Sequence, residues 1–362
     1  MAKITLQDIK HSYYSSPTAD EDYAIKHIDT IFQNGGAYAL LGPSGCGKTT
    51  LLSIISGLIS PTSGSIWFDD ENVTEVDTIH RHIAQVFQFP VIYDTMTVFD
   101  NLAFPLRNRG VSEADIQVRV REVAEMLDLE EGINRRAASL TVDGKQKISL
   151  GRGVVREDVN VMMFDEPLTV IDQNLKWELR SKLKELHQNV DTTMIYVTHD
   201  QTEALTFADE VLVMYEGKVV QSGTPVELFE KPMHTFVGYF IGSPGMNVLP
   251  CQVKNGDVVF EDLNVLCGNQ AAASSVSSGK STELGIRPEF IRFADEGIPV
   301  NIRRVDDIGR HQLVHVEHGQ HGIKMICPEE QSIPEGSANI QFDPKRTYLY
   351  ADGWLAETSI TV

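Results

Sequence analysis

Apolar and polar positions recur along this chain in two rhythms, and the change between them marks its organisation. From residue 3 to about 240, short apolar runs of strand character alternate with helix-like stretches, the order expected of an α/β domain. Ala37 to Leu41 reads as a short buried strand, and Thr50-Leu51-Leu52-Ser53-Ile54-Ile55 as the first turns of a helix. Val159 to Phe164 and Met194 to Val197 read as two further buried strands. Ile241 to Pro250 then gathers Gly, Pro, Ser and Asn. Beyond it, short β-rich runs such as Val258-Val259-Phe260 and Leu313-Val314-His315-Val316 are punctuated by Gly, Pro and Asp, and helical periodicity is scarce. Domains 1–240 and 241–362 are therefore expected, the second a small all-β barrel of the oligonucleotide-binding architecture. Ala271 to Gly279, small and polar, reads as a flexible loop inside that barrel.

A length of 362 residues agrees with two domains. The formal charge of −20 and the lack of a basic stripe exclude nucleic acid as a general partner. Apolar runs such as Val211 to Tyr215 fall far short of the roughly 20 residues that cross a bilayer. The opening Met1-Ala2-Lys3-Ile4-Thr5 lacks the apolar core of a secretory signal, which points to a cytosolic chain. Cys46, Cys251, Cys267 and Cys327 are scattered, with no C-x-x-C pair, and read as reduced thiols.

The chemistry begins between the first buried strand and the helix after it, where Gly42-Pro43-Ser44-Gly45-Cys46-Gly47-Lys48-Thr49 fits G-x-x-x-x-G-K-[ST]. Glycines let the backbone curl so that its N–H groups converge on phosphate oxygens at the positive end of a helix dipole. Lys48 would reach the outer phosphates of ATP, and the Thr49 hydroxyl would ligate Mg²⁺. The strand Val159 to Phe164 ends in two carboxylates, of which Asp165 is assigned to the metal and Glu166 to the base that polarises the attacking water. Met194 to Thr198 delivers His199 at a strand C-terminus, where ligands collect in open α/β sheets, and His199 would bond the γ-phosphate and orient Glu166. Gln88, after Val86-Phe87, would place its carbonyl on the metal and its amide on water.

Together these residues resemble the ATPase subunit of an ATP-binding cassette (ABC) transporter. In that resemblance Gly42 to Thr49 is the Walker A loop followed by Thr50, Gln88 the Q-loop, Phe164-Asp165-Glu166-Pro167 the end of Walker B, Thr169 to Asp172 the D-loop, and His199 the switch histidine. Tyr13, or its neighbour Tyr14, resembles the aromatic residue that stacks on adenine. Phe240 to Pro244, Met246-Asn247 and Leu284-Gly285-Ile286-Arg287-Pro288-Glu289 resemble the regulatory barrel of carbohydrate importers of the maltose and glycerol-phosphate type. The fold implied is an α/β P-loop NTPase domain with an inserted helical subdomain at about 89–155, followed by an OB-like, TOBE-type barrel.

The resemblance implies two ATPases sandwiching ATP, each site completed by the signature segment of the opposite subunit. It further implies two transmembrane permeases, a solute-binding protein outside the membrane and a peripheral position on the cytoplasmic face of the inner membrane. Docking of the permease, and exposed apolar surface, are expected on the helical segment after Gln88, including Asp94 to Leu102. Asp172 would belong to the interface with the second ATPase.

The signature departs from its usual Leu-Ser-Gly-Gly-Gln: this chain has Leu140-Thr141-Val142-Asp143-Gly144. Thr141 keeps a hydroxyl for the partner's ATP, but Val142 and Asp143 remove close backbone approach and bring a carboxylate toward an anion. This asymmetry suggests a heterodimer, and with Leu168 to Asp172 it resembles the ATPase pair of glycerol uptake systems more than the maltose type. A soluble ATPase outside transport, or a regulatory subunit that does not hydrolyse ATP, is the alternative. His311, His315, His318 and His321 crowd into one segment; strand alternation puts His311 and His315 on one face, His318 on the other and His321 in a turn, so the segment reads as a solvated hairpin.

Overall fold

A computed structural model of the chain describes residues 2–169, 171–189, 192–276 and 279–357. They form two compact units that part between Thr224 and Pro225. The first is built on a ten-stranded sheet whose strands are β1 (Ile4–His11), β2 (Ile25–Phe32), β3 (Ala37–Leu41), β4 (Ser63–Phe68), β5 (Glu71–Asn72), β6 (Ile83–Val86), β7 (Val161–Asp165), β8 (Thr193–Thr198), β9 (Glu210–Tyr215) and β10 (Lys218–Gly223). Their order is β5-β4-β1-β2-β10-β9-β3-β8-β7-β6.

One stretch of this sheet matters most for function. β3, β8, β7 and β6 are neighbours and run parallel, with Leu41 opposite Thr198, Asp165 opposite Val197 and Val86 opposite Phe164. All of their C-terminal ends therefore lie along one edge. β3, β7 and β8 are buried at every position, the continuous apolar reading of strands covered on both faces. Ile54, Ile55, Leu51 and Leu52 of α1 (Lys48–Ser56) join this core beside Leu40, Met163, Ile195 and Val197.

Between β6 and β7 the chain inserts α2 (Val98–Arg107), α3 (Glu113–Met126) and α4 (Val142–Val154). Each starts at a hydroxyl cap: Thr97, Ser112 and Thr141 accept the N–H of Asp100, Asp115 and Gly144. Val98, Leu102, Ile116, Val120, Val123, Ile148, Leu150 and Val154 are buried. α5 (Gln173–Asn189) and α6 (Gln201–Phe207) complete the unit.

The second unit opens with α7 (Pro225–Glu230) and α8 (Thr235–Phe240), residues the composition had placed with the first domain. One buried cation explains why they pack here. The Arg287 guanidinium lies 4.0 Å from the Phe229 ring centroid and donates to the backbone carbonyls of Leu228, Phe229, Gly238 and Ile241. Burial lowers its pKa to about 10. The rest is β structure: a four-stranded sheet containing 247–250, 282–286, 347–351 and 354–355, a three-stranded sheet over 252–264, and a five-stranded sheet containing 291–294, 298–307, 311–318, 321–328 and 337–342. Phe260, Leu284, Ile286, Val314, Met325, Ile340 and Leu349 fill its interior.

Two expectations for this unit change. Gln270–Ser275 form a 3-10 helix rather than a loop, because the methyls of Ala272 and Ala273 pack into the core; Ser277 and Ser278 lie outside the described residues. His321 is not in a turn but opens a strand, directly opposite His318. A turn of only Gly319-Gln320 suffices, since Gly319 takes the left-handed backbone. His315 meets Asp306 at 3.3 Å and His321 meets Glu261 at 3.0 Å.

Replacing Arg287 with Met should leave buried carbonyls without a donor and destabilise the second unit by roughly 3 kcal/mol. Denaturant unfolding of the variant, followed by fluorescence of Trp354, measures the loss.

Candidate functional site

The loop from Gly42 to Thr49 closes over the N-terminus of α1 in a conformation open mainly to glycine: Gly45 has φ +82° and Gly47 φ +102°. A Cβ on Gly47 would stand 2.7 Å from the Ala24 carbonyl oxygen. Lys48 is buried, and its Nζ donates to the carbonyls of Gly42 at 2.8 Å and Pro43 at 2.9 Å. Its remaining neighbour is the Cys46 sulfur at 3.9 Å, a weak acceptor that phosphate oxygens outcompete. Cys46 points inward beneath the loop, and burial pushes its thiol pKa up. Pro43 is half-buried and Ser44 is exposed.

Thr49 Oγ1 donates to Asp165 Oδ1 at 3.1 Å, joining the start of α1 to the end of β7. Burial raises the Asp165 pKa above the ordinary carboxylate value, with Glu166 adding to the shift and the Thr49 hydroxyl opposing it. Glu166 follows at φ +45°, a backbone region that a non-glycine residue seldom takes. Its amide donates to Val197 O, which pins the turn to β8.

Three side chains from three segments converge on one oxygen of Glu166. Oε2 accepts Gln88 Nε2 at 3.3 Å and Thr169 Oγ1 at 3.2 Å, and His199 Nδ1 lies at 3.1 Å. Ala24, Tyr13, Ser44, Gly45, Gly47, Lys48, Thr49, Thr50, Gln88 and Glu166 line one open cleft of about 420 Å³. Tyr13 is 67% exposed, hydrogen-bonds Thr50 Oγ1 at 3.1 Å and rests edge-on against His11. An exposed, anchored ring at the mouth of a phosphate loop is a platform for a planar base.

Not every expected residue lines this cleft. Gly42, Pro43 and Cys46 lie behind it in the loop, Asp165 and His199 stand beside it through Thr49 and Glu166, and Thr141, which caps α4, and Asp172, exposed before α5, are outside its lining. At α4, Val142 is 58% exposed and Asp143 lies in the first turn. Gln146, one turn on, is buried and donates to Pro167 O at 2.7 Å, tying α4 to the segment that follows Glu166. The expected apolar surface gathers around Gln88, at the start of the segment, rather than on its helix. Val98 and Leu102 are buried in the helical insertion, whereas Phe87, Phe89, Val91 and Tyr93, just before it, are 38%, 69%, 55% and 41% exposed. Phe87 and Val91 also line a cavity of about 270 Å³, together with Phe104, Ser149 and Arg152. Sequence reasoning missed Ala24, which walls the cleft from outside any motif, and the Thr169 hydroxyl as a partner of Glu166; a hydroxyl three residues beyond a strand-end acid was the available signal.

The ABC transporter family model matches residues 25–169, and the MalK OB fold domain model matches residues 242–291. The chain is 40% identical over 332 residues to the sn-glycerol-3-phosphate import ATP-binding protein UgpC of Bordetella avium, covering 91% of this chain and 90% of that one. With the protein of the same name from Salmonella typhi it shares 38% identity over 340 residues, 93% and 94% of the two chains. Two solved structures resemble the fold. The dimeric post-hydrolysis state of the ATP-binding cassette MJ0796 bound to ADP and Pi matches with a TM-score of 0.55 and 25% identity, over 61% of this chain and 98% of that one. The cbiO1 protein of Clostridium perfringens, part of the ABC transporter complex cbiONQ, matches with a TM-score of 0.56 and 26% identity, over 63% and 90%.

Replacing Tyr13 with Ala should weaken ATP binding about tenfold, the usual worth of one stacked base, with little change for triphosphate alone. Replacing Lys48 with Ala should weaken both ligands. Titration with a fluorescent nucleotide, competed by each ligand, separates the two contributions.

Proposed function

This chain belongs to the ATP-binding protein family of ABC transporters, and from that premise we propose that it drives import of a small polyol or polyol phosphate, such as glycerol or glycerol phosphate. The observation that carries the catalytic part is the convergence of Gln88, Thr169 and His199 on Glu166 beside the phosphate loop. In this reading Lys48 and the loop amides hold the phosphates, and Tyr13 holds the base. Glu166 accepts a proton from the attacking water, while His199 steadies that carboxylate and bonds the γ-phosphate. Thr49, Asp165 and the Gln88 carbonyl form a set of hard oxygen donors that suits Mg²⁺. When bound there the ion would neutralise charge on the phosphate oxygens. Burial raises the Asp165 pKa, so protons compete with a cation for this carboxylate and metal binding should weaken as pH falls.

The partner assignments follow from surfaces. The exposed row Phe87, Phe89, Val91 and Tyr93, with its neighbouring cavity, is the proposed seat of a membrane-spanning permease. Among the described residues no helix is long and apolar enough to cross a membrane, so attachment to the cytoplasmic face of the cell membrane would come through that contact. The first unit carries the ATPase and the second serves as a regulatory barrel.

A second feature favours an asymmetric assembly. Val142 and Asp143 stand at the start of α4 where a standard signature has glycines, so this subunit should complete its partner's ATP site poorly. The proposed assembly pairs it with a related ATPase whose own signature completes the site described here, together with two permeases and a solute-binding protein outside the membrane.

Replacing Glu166 with Gln should leave ATP binding intact and lower turnover of the assembled transporter by a factor on the order of 10² to 10⁴. Unchanged turnover would remove Glu166 from the base role. Replacing Phe89 with Asp should abolish recovery of permeases with this chain while nucleotide affinity stays the same. Purification from native membranes and mass spectrometry of the recovered subunits reads that variant and the assembly at once. Two permeases with a second, related ATPase support the asymmetric pair. This ATPase alone with two permeases overturns the pairing, and an absence of permeases overturns the transport reading.

A further inference from the structure

Glu203, in the first turn of α6, lies outside the cleft and is 3% exposed. Its Oε2 accepts the hydroxyls of Thr198 at 2.7 Å and Tyr196 at 3.2 Å, both on β8. Its Oε1 faces Lys176 Nζ on α5 at 3.6 Å. A carboxylate this deeply buried persists only where its partners compensate for lost hydration, and here two of them, Tyr196 and Thr198, belong to the strand that ends just before His199. Thr198 directly precedes His199, and its Oγ1 also accepts the amide of Asp200 at 3.0 Å, so one hydroxyl holds the backbone on both sides of the histidine. The Lys176 amide donates to the Asp172 carbonyl at 2.9 Å, which places the other arm of the network at the end of the segment running from Thr169.

We propose that Glu203 is a positioning residue for hydrolysis: through Thr198 it sets the approach of His199 to Glu166, and through Lys176 it couples that approach to the Thr169–Asp172 segment. The inference rests on the reading that His199 serves hydrolysis. It concerns geometry alone, since no atom of Glu203 touches the cleft. A rigid, hydrogen-bonded strand end gives His199 one orientation; Glu203→Gln keeps one acceptor oxygen but removes the charge that faces Lys176 and weakens the bonds from Thr198 and Tyr196, so the hold on the imidazole loosens.

The test is a cycle of ATP hydrolysis measurements on the assembled transporter carrying Glu203→Gln, His199→Ala or both, with single-turnover assays for the slow forms. Glu203→Gln should lower kcat about tenfold and leave KM for ATP within about twofold. On the His199→Ala background the same substitution should change kcat by less than about twofold, because a residue that acts through the histidine has nothing left to position. An equal loss in both backgrounds, or an unchanged kcat in Glu203→Gln alone, overturns the inference while leaving the role of His199 intact. Full turnover in His199→Ala alone removes the histidine from the chemistry and takes this inference with it. Should Glu203→Gln fail to fold, Thr198→Val, which deletes the connecting hydroxyl at nearly constant volume, is read in the same cycle with the same expected and overturning results.

Discussion

The register of four adjacent parallel strands sets every distance at the catalytic edge. β3, β8, β7 and β6 deliver, in that spatial order, the phosphate loop, His199, the Asp165-Glu166 pair and Gln88. Parallel pairing places all their C-terminal ends on the same side, and the pairing of Asp165 with Val197 puts the acid one residue behind Thr198 on the neighbouring strand. A slip of one residue would reverse the facing of each side chain and scatter the site. Burial of β3, β7 and β8 on both faces makes such a slip expensive, so precision at the edge derives from apolar packing behind it.

Within that frame, electrostatic work is divided between two neighbouring acids. Asp165 is buried against the start of α1, where desolvation disfavours its charge until a cation compensates. Glu166 is turned outward by its left-handed backbone and shares one oxygen among an amide, a hydroxyl and an imidazole. Adjacent in sequence, the two carboxylates occupy different environments and so suit different tasks. The link from Gln146 to Pro167 adds that the helix beginning at the signature is fastened to the chain just past this pair, so movement of α4 bears directly on the backbone that orients Glu166.

Much of the site was legible in the sequence because its signals are local. A glycine-rich turn between a buried strand and a helix, and acids or a histidine at the ends of apolar runs, need only neighbours in the chain to be read. Contacts made by folding were not legible. The boundary at Thr224 depends on Arg287, whose partners Leu228 and Phe229 lie 59 and 58 residues away along the chain. Ala272 and Ala273 looked like linker because alanine is small in either setting, and only the barrel interior makes them core. Which apolar side chains near Gln88 stay exposed was not legible, since exposure is a property of the packed molecule. Thr141 and Asp172, expected to face a second subunit, fall outside this cleft.

The open apolar strip from Phe87 to Tyr93 has a consequence for the cell as much as for the enzyme. Water penalises such a surface for as long as it stays bare, and the penalty applies to each copy made without a membrane partner. Surplus copies are thus the sticky ones, exposed to chaperones and to one another. Under the proposed docking, balanced synthesis of this chain and of the permease that would cover the strip becomes a condition of solubility.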